Sequence, residues 1–201
     1  MNPDCFYHIY NHANGRENLF VENRNYPFFM DKVSLYVLPF LYLHAYCLLP
    51  NHFHLLVNIK ELDEIKLLES FKTFQKLPDE QLQPVVEKKI SKAFANLFSS
   101  YTQSFNKVYS RKGSLFIPNM KAEIIDNEPG ICNVVHYIHT NPIHHGFVLS
   151  PEQWKYSSYN AYLSDTPSQV SRKFLLDLFG GKTNFITHHH QPVELKPEWE
   201  G

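Results

Sequence analysis

Four residues carry types and spacings that could do chemistry. His52 and His54 stand two apart in the run LLPNHFHLLVNI, and Tyr137 and Asn141 stand four apart in HYIHTN. On a strand, positions i and i+2 share one face and lie roughly 6–7 Å apart at Cα. That span suits two imidazoles on one divalent cation. Two imidazoles do not complete a site, so a third ligand must come from elsewhere. Two partly buried, hydrogen-bonded histidines would also fit the spacing. On a helix, i and i+4 share one face, which puts the Tyr137 phenol beside the Asn141 amide. A phenol titrating near 10 is a weak nucleophile at neutral pH. Beside a divalent cation, or beside a phosphate polarised by one, it becomes competent. A core tyrosine and a helix-ending Asn before Pro142 would fit equally well.

Charge gives a third signal. Between Lys88 and Lys121 there are seven basic residues and no acidic one: Lys88, Lys89, Lys92, Lys107, Arg111, Lys112 and Lys121. Tyr101, Tyr109 and Phe116 are interleaved among them. Local positive charge beside aromatic rings points to a polyanion with unpaired bases, and Lys107, Arg111, Lys112 and Lys121 are the candidate DNA contacts. A solvated helix face is the competing account.

These residues need elements to position them. FYHIYNH (6–12) is rich in strand-forming types and ends in Asn14-Gly15, a turn signal. Residues 25–38 read as a helix stopped by Pro39. LYLHAYCLL and HFHLLVNI are separated only by Pro50-Asn51, which predicts a tight hairpin with His52 and His54 opening its second strand. Helical periodicity covers 62–77 and 85–109, broken by LPDEQLQP. KAEIID is a short strand. NEPGICNVVHYIHT is a helix, capped by Asp126 or Asn127 and ending around NPIHHG. WKYSSYNAYL and RKFLLDLFG form a helical tail. The order is β α β β α(α) β α. A tight hairpin among interleaved elements excludes a purely parallel sheet. It favours an α+β fold, a ferredoxin-like antiparallel sheet covered on one face by helices.

Composition sets the outer bounds. A chain of 201 residues with 43% hydrophobic and 15% aromatic content supports one packed domain, with or without an extension. Net charge is −1, so any polyanion contact rests on the local patch rather than a global excess. Cys5, Cys47 and Cys132 are odd in number and far apart, which fits neither a zinc knuckle nor a disulfide framework. A reducing cytoplasm is the expectation. MNPDCFYHIYNH does not read as a signal peptide. No apolar run is long enough to span a bilayer as a helix. His188-His189-His190 is internal and reads as native sequence.

Taken in order, HAYCLLPNHFHLLV, GSLF, YIHTNPIHHGFV and WKYSSYNAYL resemble the HUH-type single-tyrosine transposases. The nearest branch is the REP-associated tyrosine transposase-like group. The resemblance runs from about residue 6 to residue 163, leaving 164–201 as a helical tail without assigned chemistry. It implies a nuclease and strand transferase for single-stranded, hairpin-forming DNA. By it, His52 and His54 hold a divalent magnesium or manganese ion and Tyr137 is the nucleophile. Asn141 supplies a third ligand, where relatives outside this branch often carry Gln. It also implies an antiparallel sheet bearing the histidines, with the tyrosine helix against it. Monomers and dimers both occur among relatives, so a homodimer stays open. A non-catalytic hairpin DNA-binding protein on the same scaffold is the alternative, although binding alone would require none of Tyr137, His52 and His54. A small-substrate metallohydrolase fits less well, for want of an acidic ligand in the motif.

Overall fold

The computed structural model describes residues 1–192. Four antiparallel strands form one sheet: β1 (Phe6–His12), β2 (Leu41–Leu49), β3 (His52–Ile59) and β4 (Lys121–Ile125), in the order β2-β3-β1-β4. That is the split βαβ order, with β1 inserted between the hairpin and β4. The hairpin turn falls on Pro50 and Asn51, as the sequence predicts. Helix α1 (Asn25–Tyr36) links β1 to β2, and α2 (Leu62–Lys66) and α3 (Asp79–Val108) link β3 to β4. The tyrosine lies on α4 (Glu128–His144), followed by α5 (Tyr159–Leu163), α6 (Arg172–Leu178) and α7 (Lys182–His189). Among the described residues no helix is long and apolar enough to cross a membrane.

Two elements differ from the periodic reading. The helix expected over 62–77 divides into α2 and a 3₁₀ segment, Glu69–Phe74. Helix α3 begins at Asp79, so Pro84 sits inside it rather than ending the previous element. Within the expected tail, 154–163 holds only the short α5. Residues 193–201 lie outside the described residues.

Helices cover both faces of the sheet, not one. On one side Ile9, Phe53, Leu55 and Val57 pack with Phe29 and Val33 of α1 and with Ile90, Phe94, Leu97 and Tyr101 of α3. On the other side Cys47, Leu49 and Leu56 pack with Ile131, Val134, Val135 and Ile138 of α4, and with Leu175 and Phe185 of the tail. The odd-numbered residues of β2 change cores part-way along the strand because its register shifts between Leu43 and Ala45. One extra residue reverses the alternation of faces. Leu41 and Leu43 therefore point into the first core, and Ala45, Cys47 and Leu49 into the second. The bulged His44 is buried, its Nδ1 3.1 Å from the Ser171 carbonyl, and burial lowers its pKa to about 4.

Helix α4 has well-defined ends. The Asn127 side chain accepts from Gly130 N–H at 2.8 Å, capping its N-terminus. At the other end Gly146, at φ +70°, donates to the Ile143 carbonyl, and Phe147 donates to that of Pro142. This Schellman closure carries the helix past Asn141-Pro142. Asn141 therefore lies within the helix, with its side chain directed inward.

Candidate active site

β3 and α4 bring the four chemical residues together. His52 and His54 share the β3 face that α4 covers, and all four residues are buried: His52 3%, His54 0%, Tyr137 1% and Asn141 1% exposed. The His52 and His54 rings are 5.2 Å apart at an interplanar angle of 87°. Tyr137 meets the His54 ring edge-on at 5.3 Å. Asn141 Oδ1 lies 3.2 Å from His52 Nε2.

The hydrogen bonds set the state of both imidazoles. His52 Nδ1 is 2.8 Å from Asn51 Oδ1, an acceptor, so the proton belongs on Nδ1. Nε2 is then a lone pair, and it faces a second acceptor, Asn141 Oδ1. Only an imidazolium could donate to both oxygens. Burial, with His12 and His145 adding like-charge repulsion, holds the His52 pKa at about 3 against the opposing Asn141 bond. In these amide orientations, two facing lone pairs call for a shared cation; turning either amide would supply a proton instead. At His54 the partner is a second imidazole, which can give or take the proton. His54 Nδ1 is 3.0 Å from His8 Nε2, and its Nε2 is buried with no protein partner. Burial, then the neighbouring His8, His52, His12 and His145, pushes its pKa well below the ordinary value. Both rings are thus neutral, the form that ligates a metal. Two neutral imidazoles and an amide oxygen form a donor set that suits a divalent cation. Among the described residues no three His, Cys, Asp or Glu side chains have metal-binding spacing. The cation would therefore rest on two imidazoles and the Asn141 oxygen.

The surrounding shell is visible only in three dimensions. β1 pairs with β3 so that His8, Tyr10 and His12 lie opposite Leu56, His54 and His52. The His12 ring stacks on His52 at 4.7 Å and 16°. Tyr10 donates to Glu123 of β4 at 2.6 Å. Burial lowers the pKa of His8 to about 3, so this support remains uncharged. The alternation His8-x-Tyr10-x-His12 was the available signal. Asn51, a turn residue by its sequence, also holds the His52 ring.

The basic candidates take different positions. Lys121 pairs with Tyr10, which pairs with His54, so all three side chains emerge on one face. Lys107 and Lys112 are exposed. Arg111 is held in place: its guanidinium bonds Glu17, Asn106 Oδ1 and the carbonyls of Gly113 and Ser114. This ties down a loop that also bridges Ala13 to Phe116 beside His12.

No family model matches the sequence. A Haemophilus influenzae protein provisionally named REP-associated tyrosine transposase is 28% identical over 121 residues. The match spans 58% of this chain and 57% of that protein, less than two thirds of its length. A solved REP-associated tyrosine transposase bound to a REP hairpin superposes with a TM-score of 0.53 at 19% identity, covering 83% of this chain and 84% of that one. Both comparisons point the same way: in sequence over part of its length, and in fold over most of it, the chain is similar to REP-associated tyrosine transposases.

Proposed function

We propose that the protein is a metal-dependent nuclease and strand transferase for single-stranded, hairpin-forming DNA, acting through a 5′-phosphotyrosine link on Tyr137. One observation carries this reading. A phenol, two neutral imidazoles and an amide oxygen converge from β3 and α4, with the His52 and Asn141 lone pairs turned toward each other.

His52 Nε2, His54 Nε2 and Asn141 Oδ1 would hold magnesium or manganese. When bound, the cation supplies Lewis acidity to a non-bridging phosphate oxygen. Asn51 and His8 hold the two rings with Nε2 available. Tyr137 Oη forms the new bond to phosphorus as the bond to the 3′ oxygen breaks, and that oxygen takes up a proton. The phenol proton passes to a base. Exposed His144, whose ring centre lies 6.5 Å from that of Tyr137, would take it. The tyrosyl ester keeps the phosphodiester energy for rejoining.

Features around the site suit a single strand. Lys121 shares the site face, and Lys107 and Lys112 offer exposed charge. From His52 a line of rings continues through His145 (4.9 Å), Phe147 (6.4 Å), Trp154 (5.4 Å) and Tyr156 (5.7 Å), with Lys155 over the last. Such a row stacks unpaired bases without regard to sequence. The hairpin bound in the solved relative supports a hairpin as the DNA form. A cytoplasmic location suits such a substrate and the three free thiols.

The test uses 5′- and 3′-labelled hairpin DNA, with manganese or EDTA, on wild type and Tyr137→Phe. The expected result is a metal-dependent covalent adduct on the 5′ end that disappears in the Phe variant. Tight hairpin binding with no adduct would establish the non-catalytic alternative. Neither binding nor cleavage would refute both.

A further inference from the structure

The run His188-His189-His190 and the histidines on the far side of α4 take no part in this chemistry. Two of them form a satisfied network. His189 Nδ1 donates to the Phe185 carbonyl at 2.7 Å, and its Nε2 accepts from His139 Nδ1 at 2.9 Å. His139 Nε2 accepts from Ser158 Oγ at 2.7 Å. Every ring nitrogen is used, so this pair is structural. His136 and His188 are different. His136 is 4% exposed and its ring lies against the backbone of His189 and Gln191, yet the Nε2 atoms of both rings are buried and make no well-formed hydrogen bond. Their rings lie 4.9 Å apart at 61°, close to the 5.2 Å and 87° of His52 and His54.

We propose that His136 and His188 form a second, non-catalytic site for a borderline divalent cation of the zinc, nickel or copper(II) class, which latches α7 onto the tyrosine helix. The spacing is suitable. With a metal–nitrogen bond of about 2.1 Å, each ring centre sits about 3.2 Å from the ion. Centres 4.9 Å apart then subtend roughly 100° at the metal, between octahedral and tetrahedral values. Imidazole donors with no carboxylate favour these ions over magnesium. Among the described residues no third His, Cys, Asp or Glu completes the set, so solvent takes the remaining positions and the site exchanges its ion. His136 adjoins Tyr137 in the chain, so an ion here joins the helix that carries the nucleophile to the last described helix.

Zinc titration of the intact chain by calorimetry, with folding of each variant checked by circular dichroism, tests this. Wild type is expected to show a zinc-binding event that survives in the His52→Ala/His54→Ala double variant and in His190→Ala. The event should weaken at least tenfold in His188→Ala, at a half-buried position, and in His136→Gln. Zinc should also shift the side-chain ¹⁵N resonances of His136 and His188 and leave those of His139 and His189 in place. No binding by wild type, an isotherm unchanged in His188→Ala, or complete loss in the His52→Ala/His54→Ala variant would overturn the proposal. So would equal weakening by His190→Ala, which would assign the ion to the exposed histidine run.

Discussion

His8 offers the sharpest check on the proposed metal site, because it touches no substrate and its role follows from one hydrogen bond. His54 can turn the Nε2 lone pair toward the site only if its proton stays on Nδ1, and in that tautomer His8 Nε2, 3.0 Å away, is the acceptor for it. His8→Phe fills the space and removes the acceptor. The buried Nδ1–H then goes unsatisfied, at about 1–3 kcal/mol, or the ring changes tautomer and presents N–H to the cation. Since 1.4 kcal/mol is a factor of ten, manganese affinity should fall by about 10- to 100-fold, the range found when such supporting partners are removed. Free manganese measured by electron paramagnetic resonance during titration reads this directly. His8→Gln, whose amide oxygen reaches nearly the same point, should recover most of the affinity. A folded His8→Phe variant that binds manganese as wild type does would refute the tautomer argument. Failure of wild type to bind manganese would remove the site itself.

Other outcomes follow from the same geometry. Arg111→Ala should lower the melting temperature through lost bonds to Glu17 and two carbonyls. Lys112→Ala should leave it unchanged and reduce the salt slope of DNA binding by about one; equal melting effects would contradict this division. Deleting His44 removes the β2 bulge and turns one set of apolar residues out of its core. Each misplaced large aliphatic costs about 1.5–3 kcal/mol, so no cooperative thermal transition is expected, and a native-like one would show that the bulge is dispensable. Stability should fall on acidification. His44 and His189 are held neutral by burial, with pKa values of about 4 and about 3, so the unfolded chain binds more protons below its ordinary value of 6.5. Their contribution is full above that value and is lost as pH falls toward 4 and then 3. A urea midpoint constant from pH 7 to pH 4 would exclude this.

Local physics made much of the molecule legible from the chain. The period of two and the Pro50-Asn51 turn placed His52 and His54 on one face of a hairpin strand. The i, i+4 spacing placed Tyr137 and Asn141 on one helical face. These depend only on the geometry of a single element, and neighbours do not alter it. The antiparallel α+β fold followed from the hairpin and the element order. Helix ends were less secure: Pro84 reads as a breaker but lies near the start of α3, where it interrupts little of the hydrogen-bond ladder.

Tertiary structure decided what depends on contacts between distant segments. The β1–β3 register, joining residues forty or more apart, brought His8 and His12 to the histidine pair; no local pattern encodes that pairing. The same holds for Asn141 opposite His52, which depends on how α4 docks on the sheet. Which β2 residues enter which core was decided by the bulge at His44, one residue that reverses the facing of the side chains after it in the strand. Arg111 looks like a free cation in the chain and becomes a loop anchor only because Glu17 folds beside it. Side-chain type and spacing specify what chemistry an element can present; burial and long-range register decide which presented groups meet and in what protonation state.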